Sequence, residues 1–401
     1  MTLLKDKHIV LGVSGGIAAY KSVELLRLLT KAGADVRILM TENAKWFVGP
    51  GTFEALSGRP VCADLFDHHE DAAIGHIKWA EEAHAVVIAP ATANIIGKMA
   101  NGIADDALST FLLAVTAPVL VCPSMNSNMY VSRPVQRNLS LLEKDGITIV
   151  RPDAGELACG TEGPGRLPEP EAVLDRLLAR LTPKDFDGKK IVISAGPTRE
   201  SIDPVRFISN PSSGKMGYAI AGAAEHRGAD VTLVSGPVNL PRPWNTKAVY
   251  VNTAAEMAQA VFDAMHEADI IIKTAAVADY RPKITAAQKI KKGDPELVLE
   301  LTKTVDILNE LGKHKENRVL VGFAAETEAL EKNAGQKLAQ KNLDLIVGNL
   351  VNIPESGFQT ETNKVTFFYK NGHMESLPVM AKDAVAHALL DRIRDIMADR
   401  R

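Results

Sequence analysis

Twice in this chain a short, almost wholly apolar strand runs straight into a glycine-bearing turn and then into an amphipathic helix. His8–Val13 leads through Ser14-Gly15-Gly16 into a helix expected over Ile17–Ala32 and a strand at Asp35–Met40. Lys190–Ala195 leads through Gly196 to a helix over Met216–Arg227 and a strand at Asp230–Ser235. Strands apolar on both faces, alternating with helices, are the pattern of a parallel sheet covered on both sides. Further strands are expected at Val86–Pro90, Val119–Pro123 and Thr148–Val150, then at Ile270–Ala275, Val319–Phe323 and Leu343–Val347. A hairpin around Asn371-Gly372 and a last helix over Lys382–Ala398 complete the pattern. The expected fold class is α/β, with two doubly wound, parallel-sheet, Rossmann-like domains. Helix Pro170–Leu181 closes the first, residues 182–188 form a polar linker, and the domains are expected at 1–181 and 189–401.

A length of 401 residues suits two domains. Forty-six Lys and Arg against 49 Asp and Glu leave a net charge of −3, so no basic excess points to nucleic acid or a membrane surface. Cys62, Cys122 and Cys159 lack the spacing of a disulfide framework or a zinc site, and a reduced, cytoplasmic setting is expected. The first residues carry no signal-peptide pattern. The uncharged stretch from Ala107 to Ser132 is broken by Pro118, Pro123 and Asn126, so it reads as helix, turn and buried strand rather than a membrane span.

Small residues where a strand meets a helix let backbone N–H groups approach a phosphate. The first turn is not Gly-x-Gly-x-x-Gly, and Glu42 near the end of the second strand keeps a dinucleotide reading open. The segments Ala89–Asn94, Asp106–Thr110 and Pro123–Tyr130 follow expected strands, at the sheet edge where open α/β folds bind ligands. His68, His76 and His84 read as separate histidines rather than a metal cluster.

Four motifs in order identify a family: Ser14-Gly15-Gly16-Ile17-Ala18-Ala19-Tyr20-Lys21, Gly75-His76-Ile77, Pro123-Ser124-Met125-Asn126-Ser127-Asn128-Met129-Tyr130 and Ala158-Cys159-Gly160-Thr161-Glu162-Gly163-Pro164-Gly165-Arg166. They resemble the flavin-dependent cysteine decarboxylases. More closely, they resemble the N-terminal half of the bacterial bifunctional phosphopantothenoylcysteine decarboxylase/phosphopantothenate–cysteine ligases of coenzyme A synthesis. Tyr130 stands where that family often has Trp. The resemblance implies FMN held by Ser14, Gly15, Gly16 and Ile17, with Thr41, Thr92, Asn94 and Ser109 contributing. It further implies His76 as the active-site histidine, Asn126 as a substrate grip and Cys159 as proton donor.

In the second half, Asn210-Pro211-Ser212-Ser213-Gly214-Lys215-Met216-Gly217 looks like a P-loop but fails as one. Ser209 stands in the required glycine position and Met216 in the Ser/Thr position. Thr274–Tyr280 brings Asp279 to the ligand edge, and Lys289, Lys337 and Lys341 supply cations. The stretch Tyr280–Lys283 beside them is expected to fold over a triphosphate. Several cations with one acid fit a nucleoside triphosphate and Mg²⁺.

This half resembles the ligase domain of the same family, which joins 4′-phosphopantothenate to cysteine using CTP and an acyl-cytidylate; CTP over ATP comes from the resemblance alone. The resemblance implies Asp279 on the Mg²⁺-bound phosphates and Lys289, Lys337 and Lys341 on the triphosphate. Ala275, Asp306, Ile307, Leu308, Asn309 and Phe323 would line the nucleotide pocket. Arg206 and Asn210 would serve the second half-reaction, in which cysteine displaces CMP, and Lys289 would join them as a catalytic residue. A homo-oligomer is implied too, with trimeric decarboxylase units and paired ligase domains. Two other readings compete: a two-domain NAD(P)-dependent dehydrogenase, and a flavin-binding regulatory protein without catalysis.

Overall fold

The computed structural model describes residues 4–64, 72–156, 160, 162–291, 297–326, 330–350, 357 and 359–400. The chain divides into two compact units, 2–182 and 183–401. Among the described residues, no helix is long and apolar enough to cross a membrane.

The first unit is built on five strands, β1 (His8–Val13), β2 (Asp35–Met40), β3 (Ala85–Ala91), β4 (Val119–Pro123) and β5 (Thr148–Ile149). All pair in parallel, in the order β2-β1-β3-β4-β5. Ile9, Leu11 and Val13 pack into one core and Val10 into the other, so both faces of β1 are fully buried and its register is fixed. Helices Ala19–Lys31 and Pro170–Leu181 cover the first face; Ala93–Asn101, Ala107–Ala114 and Arg133–Lys144 cover the second. The strand order reverses between β1 and β3, which opens a crevice at their carboxyl ends. An antiparallel hairpin, β6 (Asp153–Glu156) with β7 (Glu162–Arg166), follows β5.

The second unit begins with β8 (Lys190–Ala195) and a small ribbon, β9 (Arg199–Ser201) with β10 (Phe207–Ser209). Strands β11 (Asp230–Ser235), β12 (Lys247–Tyr250) and β13 (Ile270–Lys273) follow. An antiparallel arm, β14 (Tyr280–Pro282) with β15 (Leu301–Lys303), precedes β16 (Val319–Glu326) and β17 (Leu345–Leu350). The chain then adds β18 (Thr362–Asn363), β19 (Val365–Tyr369), β20 (Met374–Ser376) and β21 (Met380–Ala381), with β18 pairing β21. The main sheet runs β12-β11-β8-β13-β16-β17-β19-β20. Its first six strands are parallel, whereas β19 and β20 extend it antiparallel, which needs no helical crossover. Helices Lys215–His226 and Lys382–Ala398 bury one face. Ala254–Met265, Ile307–Lys313 and Leu330–Gln340 bury the other.

Candidate active sites

In the first unit the crevice widens into a cavity of about 1030 Å³, walled in part by Ser14, Gly15, Gly16, Ile17, Thr41, Thr92, Asn94 and Asn126. Ser14 is buried, and its hydroxyl donates to the Pro90 carbonyl at 2.8 Å and accepts from the Thr92 amide at 3.0 Å. One side chain thereby locks the turn after β1 to the turn after β3. Thr92 caps helix Ala93–Asn101. Gly15 leaves no room for a side chain, because a Cβ there would lie 2.4 Å from Asn43 Cβ and 2.7 Å from its carbonyl carbon. The Thr41 hydroxyl is buried with no hydrogen-bond partner among the described residues and borders the cavity. Such an orphan is costly unless a ligand pairs with it.

Ser109 is absent from that lining. Its hydroxyl accepts from the Asp106 amide at 3.0 Å and its amide donates to Asp106 Oδ1 at 2.7 Å, closing the capping box of helix Ala107–Ala114. The wall instead carries Lys98, whose ammonium meets Asp105 at 2.6 Å and Asp106 at 2.7 Å. Burial alone would raise the Asp106 carboxyl, but Lys98 and Ser109 hold it below the ordinary range. Cys159 lies outside the described residues, as does His68. The hairpin flanking Cys159 borders the cavity through Glu156, Gly165 and Arg166. His76 belongs to helix Ala72–Glu82, and its side chain is outside the described set. His84 accepts a hydrogen bond from the His8 amide at 3.1 Å. Among the described residues no metal-binding cluster exists.

In the second unit, Asn210, Ala275, Asp279 and Phe323 share a cavity of about 390 Å³ with the Ser212–Gly217 segment, Lys273 and Lys382. Asn210 Nδ2 donates to the Val277 carbonyl at 3.1 Å and so ties the two loops that border the cavity. A Cβ on Gly217 would stand 2.5 Å from Ala195 Cβ and 2.6 Å from Thr274 Oγ1; glycine there lets helix Lys215–His226 start directly against β8 and the loop after β13. Lys215, the P-loop look-alike, spends its ammonium on Glu361 and on the Gln359 carbonyl at 2.9 Å. Lys382 is buried and donates to the Gly357 carbonyl at 3.1 Å; burial and then Lys215 hold it below the ordinary lysine range.

Eight expected residues lie outside that cavity's lining: Arg206, Lys289, Asp306, Ile307, Leu308, Asn309, Lys337 and Lys341. Ile307 and Leu308 are core side chains packed with Ile271 and Leu320. Asp306 caps helix Ile307–Lys313 and pairs with Lys341 at 2.8 Å. Lys289 is exposed on the chain between β14 and β15, and Arg206 is paired with Asp203 through a 2.9 Å bond from Nε. Tyr280–Lys283, expected as a loop, contains the whole of strand β14, with the Lys283 amide continuing to the Glu300 carbonyl at 2.9 Å.

A family model described as Flavoprotein matches residues 2–182, and one described as the DNA/pantothenate metabolism flavoprotein C-terminal domain matches residues 186–397. The chain is 50% identical over 395 residues to the coenzyme A biosynthesis bifunctional protein CoaBC of Bacillus subtilis, covering 98% of this chain and 97% of that one. Against CoaBC of Escherichia coli it is 49% identical over 396 residues, covering 97% of each. The chain belongs to the CoaBC family. A solved C-terminal domain of a CoaBC protein covers 54% of this chain and 99% of its own length, at 45% identity and a TM-score of 0.47.

Seen as a CoaBC chain, the molecule has a flavoprotein half and a pantothenate-metabolism half, each with a cavity at the carboxyl ends of its parallel strands. Asn43, Lys98 and Lys273 also line these cavities, beyond the residues expected from the sequence. For Lys98 and Lys273 a clue existed, a lysine inside or at the end of an otherwise apolar stretch; Asn43 carried no comparable signal.

Proposed function

We propose that the second unit activates the carboxylate of 4′-phosphopantothenate with CTP and passes the acyl group from the cytidylate to cysteine. The first unit then decarboxylates the resulting 4′-phosphopantothenoylcysteine to 4′-phosphopantetheine with FMN. The observation that carries this reading is the convergence of two independent residue sets, Ser14 to Ile17 with Thr41, Thr92, Asn94 and Asn126, and Asn210 with Ala275, Asp279 and Phe323, on two separate cavities.

A carboxylate is a poor electrophile. Attack of its oxygen on the α-phosphorus of CTP releases pyrophosphate; attack of the cysteine amine on the acyl carbon then forms the amide and releases CMP. Asn210 would hold the acyl phosphate from the loop it ties to Val277. Lys289, Lys337 and Lys341 would offset the phosphate charge, and Asp279 would engage Mg²⁺ carried by the phosphates. The exposed Asp279, without two further ligand side chains gathered beside it among the described residues, fits a magnesium that keeps most of its ligands from phosphate and water.

FMN, when bound, supplies the oxidation of the thiol-bearing carbon that gives the departing CO₂ an electron sink, and the return of that hydride. The orphan Thr41 hydroxyl bordering the cavity fits a polar group of the cofactor, and Gly15, packed against Asn43, sets the shape of the turn that would receive its phosphate. Asn126 would hold the substrate carboxylate side, and Cys159 would give the proton that completes the product. Exposed Ile17, Tyr20 and Met129 at the cavity rim support coverage by further copies, as in the trimer expected for this half. Exposed Ile284 and Val298, at 80% and 85%, lie on the arm of the second unit and support pairing of ligase domains there.

The test is pyrophosphate release from CTP by purified protein, with flavin absorbance read on the same sample. Release that requires 4′-phosphopantothenate, from a yellow protein, is expected. NAD(P) binding without flavin, and no pyrophosphate, would favour a dehydrogenase.

A further inference from the structure

Lys273 ends β13, and strand alternation decides where it points. Ile270 and Ile272 pack into the core under helix Lys382–Ala398, whereas Ile271 packs into the opposite core with Ile307, Leu308, Ala334 and Leu338. Lys273 therefore leaves the sheet on the Ile271 side. That face is covered by the helix capped by Asp306 and by the helix carrying Lys337. Its register partners are Ser194 and Gly322, the latter covered by Leu308 and Leu343, and Lys273 itself borders the cavity it shares with Asn210 and Asp279.

The ammonium donates to the carbonyl of Ala275 at 3.2 Å, and no carboxylate among the described residues comes within ion-pair distance of it. Burial drives its pKa down to about 8, the neighbouring Lys341 and Lys337 push the same way, and Asp306 and Asp279 only partly oppose them. A partly buried cation without a counter-ion lowers stability. Apolar residues fill the rest of β13, so packing gives no reason for a lysine here.

We propose that Lys273 is a further phosphate-binding residue of the ligase site, one that contacts the triphosphate of the bound nucleotide. The proposal rests on the CTP reading above and deepens it: the missing counter-charge is the polyphosphate itself. Lys341 is already engaged by Asp306 at 2.8 Å, whereas Lys273 has no carboxylate among the described residues for a nucleotide to displace.

Calorimetry of the full chain with CTP and Mg²⁺ tests this, using Lys273→Met and Lys273→Arg beside the unaltered protein. Loss of a charge-assisted contact should weaken CTP binding of Lys273→Met by about tenfold or more, raise KM for CTP in step, and leave KM for cysteine unchanged. The Tm of ligand-free Lys273→Met should hold or rise, because an uncompensated charge has gone. Lys273→Arg should bind CTP within about threefold of the unaltered protein, since the charge remains. The proposal is overturned if Lys273→Met binds CTP as tightly as the unaltered protein, or if its loss comes only with a lower ligand-free Tm. An unaltered protein that binds no CTP overturns the ligase reading itself, an outcome independent of position 273.

Discussion

The guanidinium of Arg206 donates to the carbonyl of Ile290 at 2.8 Å, so the residue directly after Lys289 is held by a side chain 84 positions earlier. The buried Asp203 completes the clasp, accepting from the Ile290 amide at 3.1 Å and from Arg206 Nε at 2.9 Å. Arg206, assigned to the second half-reaction by family resemblance, thus also has a positioning role. It fixes the backbone from which the exposed Lys289 side chain would reach the nucleotide in the proposed ligation.

Asp203→Asn should therefore slow ligation by about tenfold to a hundredfold, the range expected when a charged hydrogen-bonding group is lost. Decarboxylation of supplied 4′-phosphopantothenoylcysteine should be unchanged. Arg206, opposed by burial but aided by the amides of Val205, Arg206 and Ile290, holds the Asp203 carboxyl far below the usual carboxylate range. Its stabilising contribution is present above about pH 4 and is lost only as pH falls through the lower folded value. Ligase activity should show no acid limb from this group above about pH 4; a limb near pH 5 that Asp203→Asn abolishes would contradict the assignment.

Thr41→Val removes the orphan hydroxyl while keeping its volume. Flavin-free protein should lose no stability, because no protein hydrogen bond goes with it. FMN affinity should fall by about threefold to tenfold, the worth of one ordinary hydrogen bond. Fluorescence titration of flavin into stripped protein, with a parallel Tm, reads both; a fall in Tm with unchanged affinity would make the residue structural.

Gly15→Ala would drive a methyl group into Asn43, part of whose contact is backbone that cannot rotate away. The purified variant should carry well under one flavin per chain while ligation continues at the normal rate. Full flavin occupancy would show that the turn relaxes and that its close approach is not what binds the cofactor.

The affinity of the ligase site for CTP should fall as pH rises from about 8 to about 9.5. Lys273, with its pKa near 8, is progressively neutral there, facing Lys337, Lys341, Asp279 and Asp306. Binding an anion then requires proton uptake, up to one proton, so the dependence approaches tenfold per pH unit. Lys273→Arg should flatten that slope, and an unchanged slope would place the titration elsewhere.

The fold was readable because β1 and β4 are nearly continuous apolar runs, β2 and β8 are mostly apolar, and all four end at glycine or polar turns, where periodicity and punctuation agree. Some boundaries moved in the body of the sheets, as in the strand expected at Leu343–Val347 and found at Leu345–Leu350, and two moved at the sites. The first helix begins at Ala19 rather than Ile17 because the intervening residues belong to the turn around the cavity, and β13 stops at Lys273 rather than Ala275 because the chain turns there into the cavity loop. The small-residue turns of both sites were legible from local spacing. Contacts such as Ser14 with Thr92, or Arg206 with Ile290, join residues 78 and 84 positions apart and left no local signal. Ser109 shows the opposite limit, since its motif was visible but its hydroxyl closes a helix cap.

The central claim is that one chain carries both halves of the conversion. Mass spectrometry of products from purified protein given 4′-phosphopantothenate, cysteine, CTP and Mg²⁺ tests it most directly. The account predicts 4′-phosphopantetheine with CMP, pyrophosphate and CO₂, and, from Cys159→Ser, a ligated product stalled at an oxidised or unsaturated decarboxylated species. Accumulation of 4′-phosphopantothenoylcysteine by flavin-loaded, unaltered protein would contradict the decarboxylase half, and failure to form it at all would contradict the ligase half.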